Sequence, residues 1–256
     1  MPDTQPTVLT EREGAIAVVT LNRPERRNGV TVELCHALYD AVREVAASDA
    51  LVLVLRGAGS DFCVGADIGG QASGGAPPTL EDLGLIHHAS TLLHTMPQVT
   101  IAAIDGGCAG AGLGWAAACD FRFASDAARF NTAFLDVGVP GDMGLAWSLA
   151  RIVGGGRARE MLFFPEKLSA AQALEYGLIT RIFPRAALWE EVMPLARNLA
   201  AREPFALRMM KANMISAEEL PIGAFIDIET ARQLAATTRP DIGARMAEAW
   251  RRKKGG

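Results

Sequence analysis

Positive charge is not in excess in this chain: 25 Lys and Arg stand against 29 Asp and Glu, a formal net charge of −4. The electrostatic footprint of nucleic-acid binding is missing, so nucleic acid is not an expected partner. No apolar run reaches the roughly 20 residues that a membrane-spanning helix needs, so no membrane partner is expected. Glu11, Arg12 and Glu13 break up the N-terminus before an apolar leader develops. Cysteine is sparse. Cys35, Cys63, Cys108 and Cys119 have no CxxC or zinc spacing, which predicts reduced thiols in a cytoplasmic protein. His87, His88 and His94 share one segment but lack the i,i+4 pair of a helical zinc site. No metal is therefore expected, and a pocket-lining or polar-face role is predicted for them.

Apolar residues and glycine are plentiful. Half of the 256 residues are hydrophobic, which suffices for a full core without disulfides, and 26 glycines imply many tight turns. The stretch that organises the rest is IAAIDGGCAGAGLGWAAACD, residues 101–120. Ile101 to Ile104 read as a strand buried on both faces. Asp105, Gly106 and Gly107 break it, and Gly110, Ala111 and Gly112 lead into a helix over Leu113–Cys119. Such a turn leaves helix-start N–H groups without intrahelical partners, suited to an oxygen carrying negative charge. The plainer alternative is that small residues only permit tight strand–helix packing. A dinucleotide fingerprint does not fit, because GxGxxG counted from Gly110 meets Trp115.

In chain order, Thr7–Arg12 and Ala15–Leu21 read as strands joined by a Glu13-Gly14 hairpin turn. Arg23, Arg26 and Arg27 cluster in the next loop, either solvated or gripping phosphate. Thr31 caps a helix with the stripe Leu34, Leu38, Ala41, Val42 and Val45. Leu51–Leu55 is a third strand. Residues 69–79, GGQASGGAPPT, are low in complexity and read as a lid or a linker. A helix follows over 80–96, and another strand over Phe121–Ala124. Asp142 lies in a glycine-proline loop just before a helix that begins near Gly144, where it could be a plain N-cap. Ser169 and Gln172 form a capping box. Strands alternating with helices predict an α/β layered fold with much parallel pairing. From Ala186 onward only helices are predicted, at 186–202, 204–216, 221–237 and 240–252. The expected domains are therefore 1–185 and 186–256.

Four motifs in order, RPERRNG (23–29), GSDFCVGADI (59–68), IAAIDGGCAGAGLGWAAACDFRFAS (101–125) and SAAQALEYGLI (169–179), resemble the crotonase superfamily, also called the enoyl-CoA hydratase/isomerase family. The resemblance runs through about residues 10–185. It implies a core of repeated ββα units with a helical C-terminal trimerisation region, and hence a homotrimer or a dimer of trimers. It also implies an acyl-CoA thioester substrate, with coenzyme A part of the substrate and no separate cofactor. Carried over by position, the family's oxyanion-hole N–H groups fall on Val64 and Ala111. Adenine and phosphate contacts fall on Arg26, Arg27 and the Ala66, Asp67, Ile68 loop. Gly110, Ala133 and Phe134 complete the expected substrate contacts.

Both glutamates of the true hydratases are absent, because their positions fall on Gly114 and Phe134, and neither residue transfers a proton. Asp142 matches the aspartate used by dienoyl-CoA and ring-type isomerases, and by 4-chlorobenzoyl-CoA dehalogenases as a nucleophile. Asp136 is a weaker candidate for the same acid/base role. The resulting expectation is an isomerase with Asp142 as sole acid/base. Hydratase or dehalogenase/hydrolase chemistry, or a silent acyl-CoA-binding protein, are the alternatives.

Overall fold

The computed structural model describes residues 5–67, 84 and 86–254, and the expected 69–79 lid lies outside them. Strands β1 (Val8–Glu13) and β2 (Ile16–Leu21) form the expected hairpin. Helix α1 (Val32–Ala46) follows, its Thr31 side chain accepting a hydrogen bond from the Leu34 N–H. Next come β3 (Val52–Gly57), α2 (Ala89–Thr95), β4 (Val99–Ile104), β5 (Gly107–Ala109) and α3 (Ala111–Ala118). Strands β6 (Phe121–Ser125) and β7 (Arg129–Asn131) lead to α4 (Leu145–Ile152) and α5 (Gly154–Phe163). The chain continues through β8 (Leu168–Ser169), α6 (Ala170–Glu175), β9 (Arg181–Phe183) and α7 (Leu188–Ala200). Helices α8 (Pro204–Glu219), α9 (Ile222–Thr237) and α10 (Ile242–Lys254) end it.

The main sheet runs β1-β2-β3-β4-β6-β9, antiparallel at β1–β2 and parallel throughout the rest. Parallel strands must be covered on both faces, and β2 and β4 are buried along their whole length. Side chains alternate between faces. Ala17, Val19, Leu21, Leu53, Leu55, Ala102 and Ile104 join one core with the α1 stripe, every member of which is buried. A second sheet, β5-β7-β8, was not legible in sequence, because its strands are only two or three residues long.

The chain divides into compact units Met1–Ala201 and Arg202–Gly256. The boundary expected between 185 and 186 thus moves past α7. That helix buries Leu188, Val192, Met193 and Ala196 and lies against β2, β3, β4 and β6, so it belongs to the first unit. The second unit is helical, as expected, with α8 packed on α9. It leaves Met210, Met214, Ile222, Leu234 and Trp250 exposed.

Candidate active site

Strand β4 ends at Ile104, and the chain turns through Asp105–Gly107, forms β5 and enters α3 at Ala111. Gly110 is the helix's N-terminal flank at φ 50°, and its own N–H donates to the Asn131 carbonyl at 3.0 Å. Ala111, the first helical residue, has no intrahelical acceptor for its N–H. The neighbouring turn, Cys63–Gly65, is stitched to β5. The Cys63 N–H donates to the Gly107 carbonyl at 3.0 Å, and the Ala109 N–H donates to the Cys63 carbonyl at 2.9 Å.

These two turns run against each other. A Cβ placed on Gly65 would lie 3.2 Å from the Ala109 carbonyl oxygen, and one on Gly112 only 2.6 Å from Cys63 Cβ. The glycines at 65 and 112 are therefore what lets the backbone of 63–65 approach that of 109–112. Between them, the Val64 N–H makes only a long 3.4 Å hydrogen bond to the Arg27 carbonyl.

The helix-capping alternative for Asp142 is not what the structure contains. Gly144 flanks α4 with φ 70° and no side-chain cap, and only the Asp142 backbone carbonyl is engaged, by the Leu145 N–H at 3.1 Å. The carboxyl Oδ1 is buried without a hydrogen-bond partner. The residue lines a cavity of about 510 Å³ shared with His87, Ser90, Phe134, Leu145 and Trp147. Burial raises the Asp142 pKa above the ordinary aspartate value, opposed by the charge of His87. Asp142 also stands within electrostatic reach of the Cys63–Gly65 turn. Burial pushes the Cys63 thiol up to about 12, and the Asp142 charge adds to the shift.

Phe134 links the two halves of the site. A Cβ on Gly110 would lie 3.8 Å from Phe134 Cε1, and one on Gly141 would lie 3.6 Å from Phe134 Cδ2. The ring is buried, and it packs between the α3 entry and the loop that carries Asp142. Ala133, just before Phe134, has φ 58°, and Met143, just after Asp142, has φ 51°. Left-handed non-glycine residues of this kind cost of order 1–3 kcal/mol and cluster at functional sites. Asp136, by contrast, lies in the one-turn helix Leu135–Val137, exposed, and does not line this cavity.

The arginines of the loop are engaged by carboxylates. Arg26 holds Asp67 through Nε at 3.1 Å and Nη2 at 2.6 Å, and Arg23 adds a contact to Asp67 at 3.0 Å. Arg27 holds Asp61 with two bonds of 3.0 Å. The Asp67 side chain is only 7% exposed, its carboxylate held by the two arginines. Ala66 is exposed and pairs with Val30 in an isolated bridge. Ile68 lies outside the described residues.

Sequence reasoning missed three contributors. Arg129 and Lys167 join Arg27, Val64 and Ala133 around a second cavity of about 480 Å³. Arg129 reaches it because β7 pairs with β5, a register that no local pattern announced. Ser90, on the buried face of α2, lines the Asp142 cavity with its Oγ unpartnered. Among the described residues, no cluster of three or more His, Cys, Asp or Glu is arranged to hold a metal. No helix among them is long and apolar enough to cross a membrane.

The chain is 32% identical over 243 residues to the 1,2-epoxyphenylacetyl-CoA isomerase of Escherichia coli (strain K12), covering 91% of each protein. It is 28% identical over 248 residues to the mitochondrial Delta(3,5)-Delta(2,4)-dienoyl-CoA isomerase of Rattus norvegicus, covering 91% of this chain and 76% of that one. Among solved structures, an enoyl-CoA hydratase from Polaromonas sp. JS666 superposes with a TM-score of 0.88 at 28% identity, covering 96% of this chain and 97% of the other. The family model described as enoyl-CoA hydratase/isomerase matches residues 11–244. The chain therefore belongs to the enoyl-CoA hydratase/isomerase family of the crotonase superfamily, whose members act on acyl-CoA thioesters.

Proposed function

We propose that this protein is an acyl-CoA isomerase that moves a proton between carbons of the acyl group, with Asp142 as its single acid/base. The observation that carries the reading is the buried Asp142 carboxyl, its Oδ1 unpartnered, on a residue that lines a cavity with Phe134, whose ring also reaches Gly110 at the entry to α3. In the proposed reaction the Asp142 carboxylate takes a proton from a carbon conjugated with the thioester. The C–H electron pair moves into the carbon framework, and negative charge develops on the thioester oxygen. The Val64 and Ala111 N–H groups receive that oxygen, the Val64 donor exchanging its long bond to Arg27 for it. Fixed donors of this kind need no reorganisation as charge builds, and losing one costs about 10²–10³ in rate. The carboxyl then returns the proton to a second carbon, and the double bond or ring is relocated.

A raised pKa suits this task. It brings the carboxyl closer to the working pH, where it can both accept and release a proton. Arg26, Arg27 and the Ala66–Ile68 loop are the proposed contacts for the adenine and phosphates of coenzyme A, and Gly110, Ala133 and Phe134 for the acyl end. The exposed apolar side chains of α8, α9 and α10 support a homotrimer or dimer of trimers, testable by light scattering after size exclusion.

The deciding experiment offers enoyl-, dienoyl- and aryl-CoA thioesters to the protein in heavy water and reads products by mass spectrometry. Isomerisation shows rearranged product with no added water mass, and Asp142→Asn abolishes it. Product heavier by one water, or chlorine replaced by hydroxyl, would assign hydratase or dehalogenase chemistry instead. Tight binding with neither turnover nor deuterium uptake would assign a silent binding protein.

A further inference from the structure

Two residues that line the Asp142 cavity each carry a side-chain oxygen buried without a partner: Asp142 Oδ1 and Ser90 Oγ. They come from different elements, the loop before α4 and the second residue of α2. The isomerase reading employs the first and leaves the second unexplained. Ser90 is 8% exposed, and a buried hydroxyl without a partner costs about 1–3 kcal/mol. Helix position does not require a polar residue there, since Ala89 beside it is fully buried and apolar. His87, His88 and Thr91 also line the cavity, the last two paired with each other, and the other large side chains of the wall, Phe134, Leu145, Trp147 and Leu162, are apolar.

The ligand that satisfies this wall is mainly apolar and carries one polar atom opposite Ser90. Its polar atom is neutral, because an anion there would share the cavity with the Asp142 carboxylate. The volume, about 510 Å³, is far more than one water occupies. We propose that the acyl group of the substrate bears a neutral oxygen substituent, a hydroxyl, oxo or epoxide oxygen, and that Ser90 is the specificity-determining residue that hydrogen-bonds it. This inference rests on the reading of the cavity as the acyl pocket.

Binding of non-reacting thioesters tests it without reference to turnover. Dissociation constants are measured by calorimetry for hexanoyl-CoA and for its monohydroxy and mono-oxo counterparts, with the oxygen moved along the chain. The expected result is that one oxygen position binds wild-type protein about tenfold tighter than hexanoyl-CoA, the worth of one hydrogen bond. In Ser90→Ala that advantage shrinks to within about twofold, while hexanoyl-CoA binds as before, which reports an intact cavity. Ser90→Cys, close in shape and a weak donor, loses most of the advantage as well. If no oxygenated thioester gains in wild-type protein, or the gain survives both substitutions, the inference is overturned. Failure of the isomerase reading appears elsewhere, as turnover retained by Asp142→Asn, with this binding pattern left intact.

Discussion

Met143 occupies the space that a side chain at position 114 would need: a Cβ on Gly114 would lie 2.6 Å from Met143 Cβ. Position 114 is where a hydratase glutamate is expected from the family resemblance. Its absence here is built into the packing of α3 against the Asp142 loop and is more than a change of one side chain. Gly114→Ala is expected to destabilise the fold by about 1–3 kcal/mol through overpacking, despite the better helix propensity of alanine, as read by urea unfolding. Gly114→Glu is expected to yield no product carrying added water, as read by mass spectrometry.

Asp142→Asn separates activity from stability. Turnover is expected to fall at least about 10²–10⁴-fold, the usual worth of a positioned acid/base. Burial raises the folded-state pKa of this carboxyl, so the native state favours its protonated form. The stability linked to it is full below the unfolded pKa and is lost as pH rises through the folded pKa. At neutral pH the ionised group weighs against the fold, and asparagine relieves it. The variant is expected to melt higher, by about 2–4 °C for each kcal/mol relieved, and calorimetry at pH 7 against pH 4 checks the sign.

The pH profile of kcat/KM carries the same signature. Its acid limb is expected above the ordinary aspartate range of about pH 4, because the base must be ionised in the free enzyme. His87 opposes the rise through its charge. On the other sides, the Cys35 and Cys63 thiols have pKa values pushed up to about 12 and stay neutral. His87→Gln is therefore expected to move the acid limb to higher pH with the plateau rate changed far less.

Asp67→Ala removes the acidic partner of both Arg23 and Arg26, leaving Arg23 only the Gly29 carbonyl. Each charge-assisted bond is worth about 1.5–3 kcal/mol, so the loop from 23 to 29 is expected to loosen. The measurable result is a raised KM for acyl-CoA with kcat nearly retained, because the site of proton transfer lies elsewhere.

Local rules carried the reading of the first unit a long way. The α1 stripe, the Thr31 cap and the Ser169–Gln172 capping box all appear as expected, because each depends only on residues a turn or two apart. The glycine turn at 106–112 was legible for the same reason. Arg129 and Lys167 were not, since only the pairing of β7 with β5 and β8 gathers them. Nor was the end of the first unit. The periodicity of α7 marks a helix but does not reveal that the buried side of that helix covers the main sheet. The arginines at 23, 26 and 27 were read as either solvated or gripping phosphate, and the ion pairs they make were not foreseen because Asp61 and Asp67 lie more than thirty residues away.

Cys63 and Cys108 face each other across an isolated bridge, and neither is exposed to solvent. With so little thiolate present, an alkylating reagent at neutral pH finds nothing to attack while that bridge is closed. Labelling must wait for the backbone beside residues 64 and 110 to part. Its rate therefore clocks the breathing of the two apposed turns, and an acyl-CoA bound as proposed is expected to slow the clock.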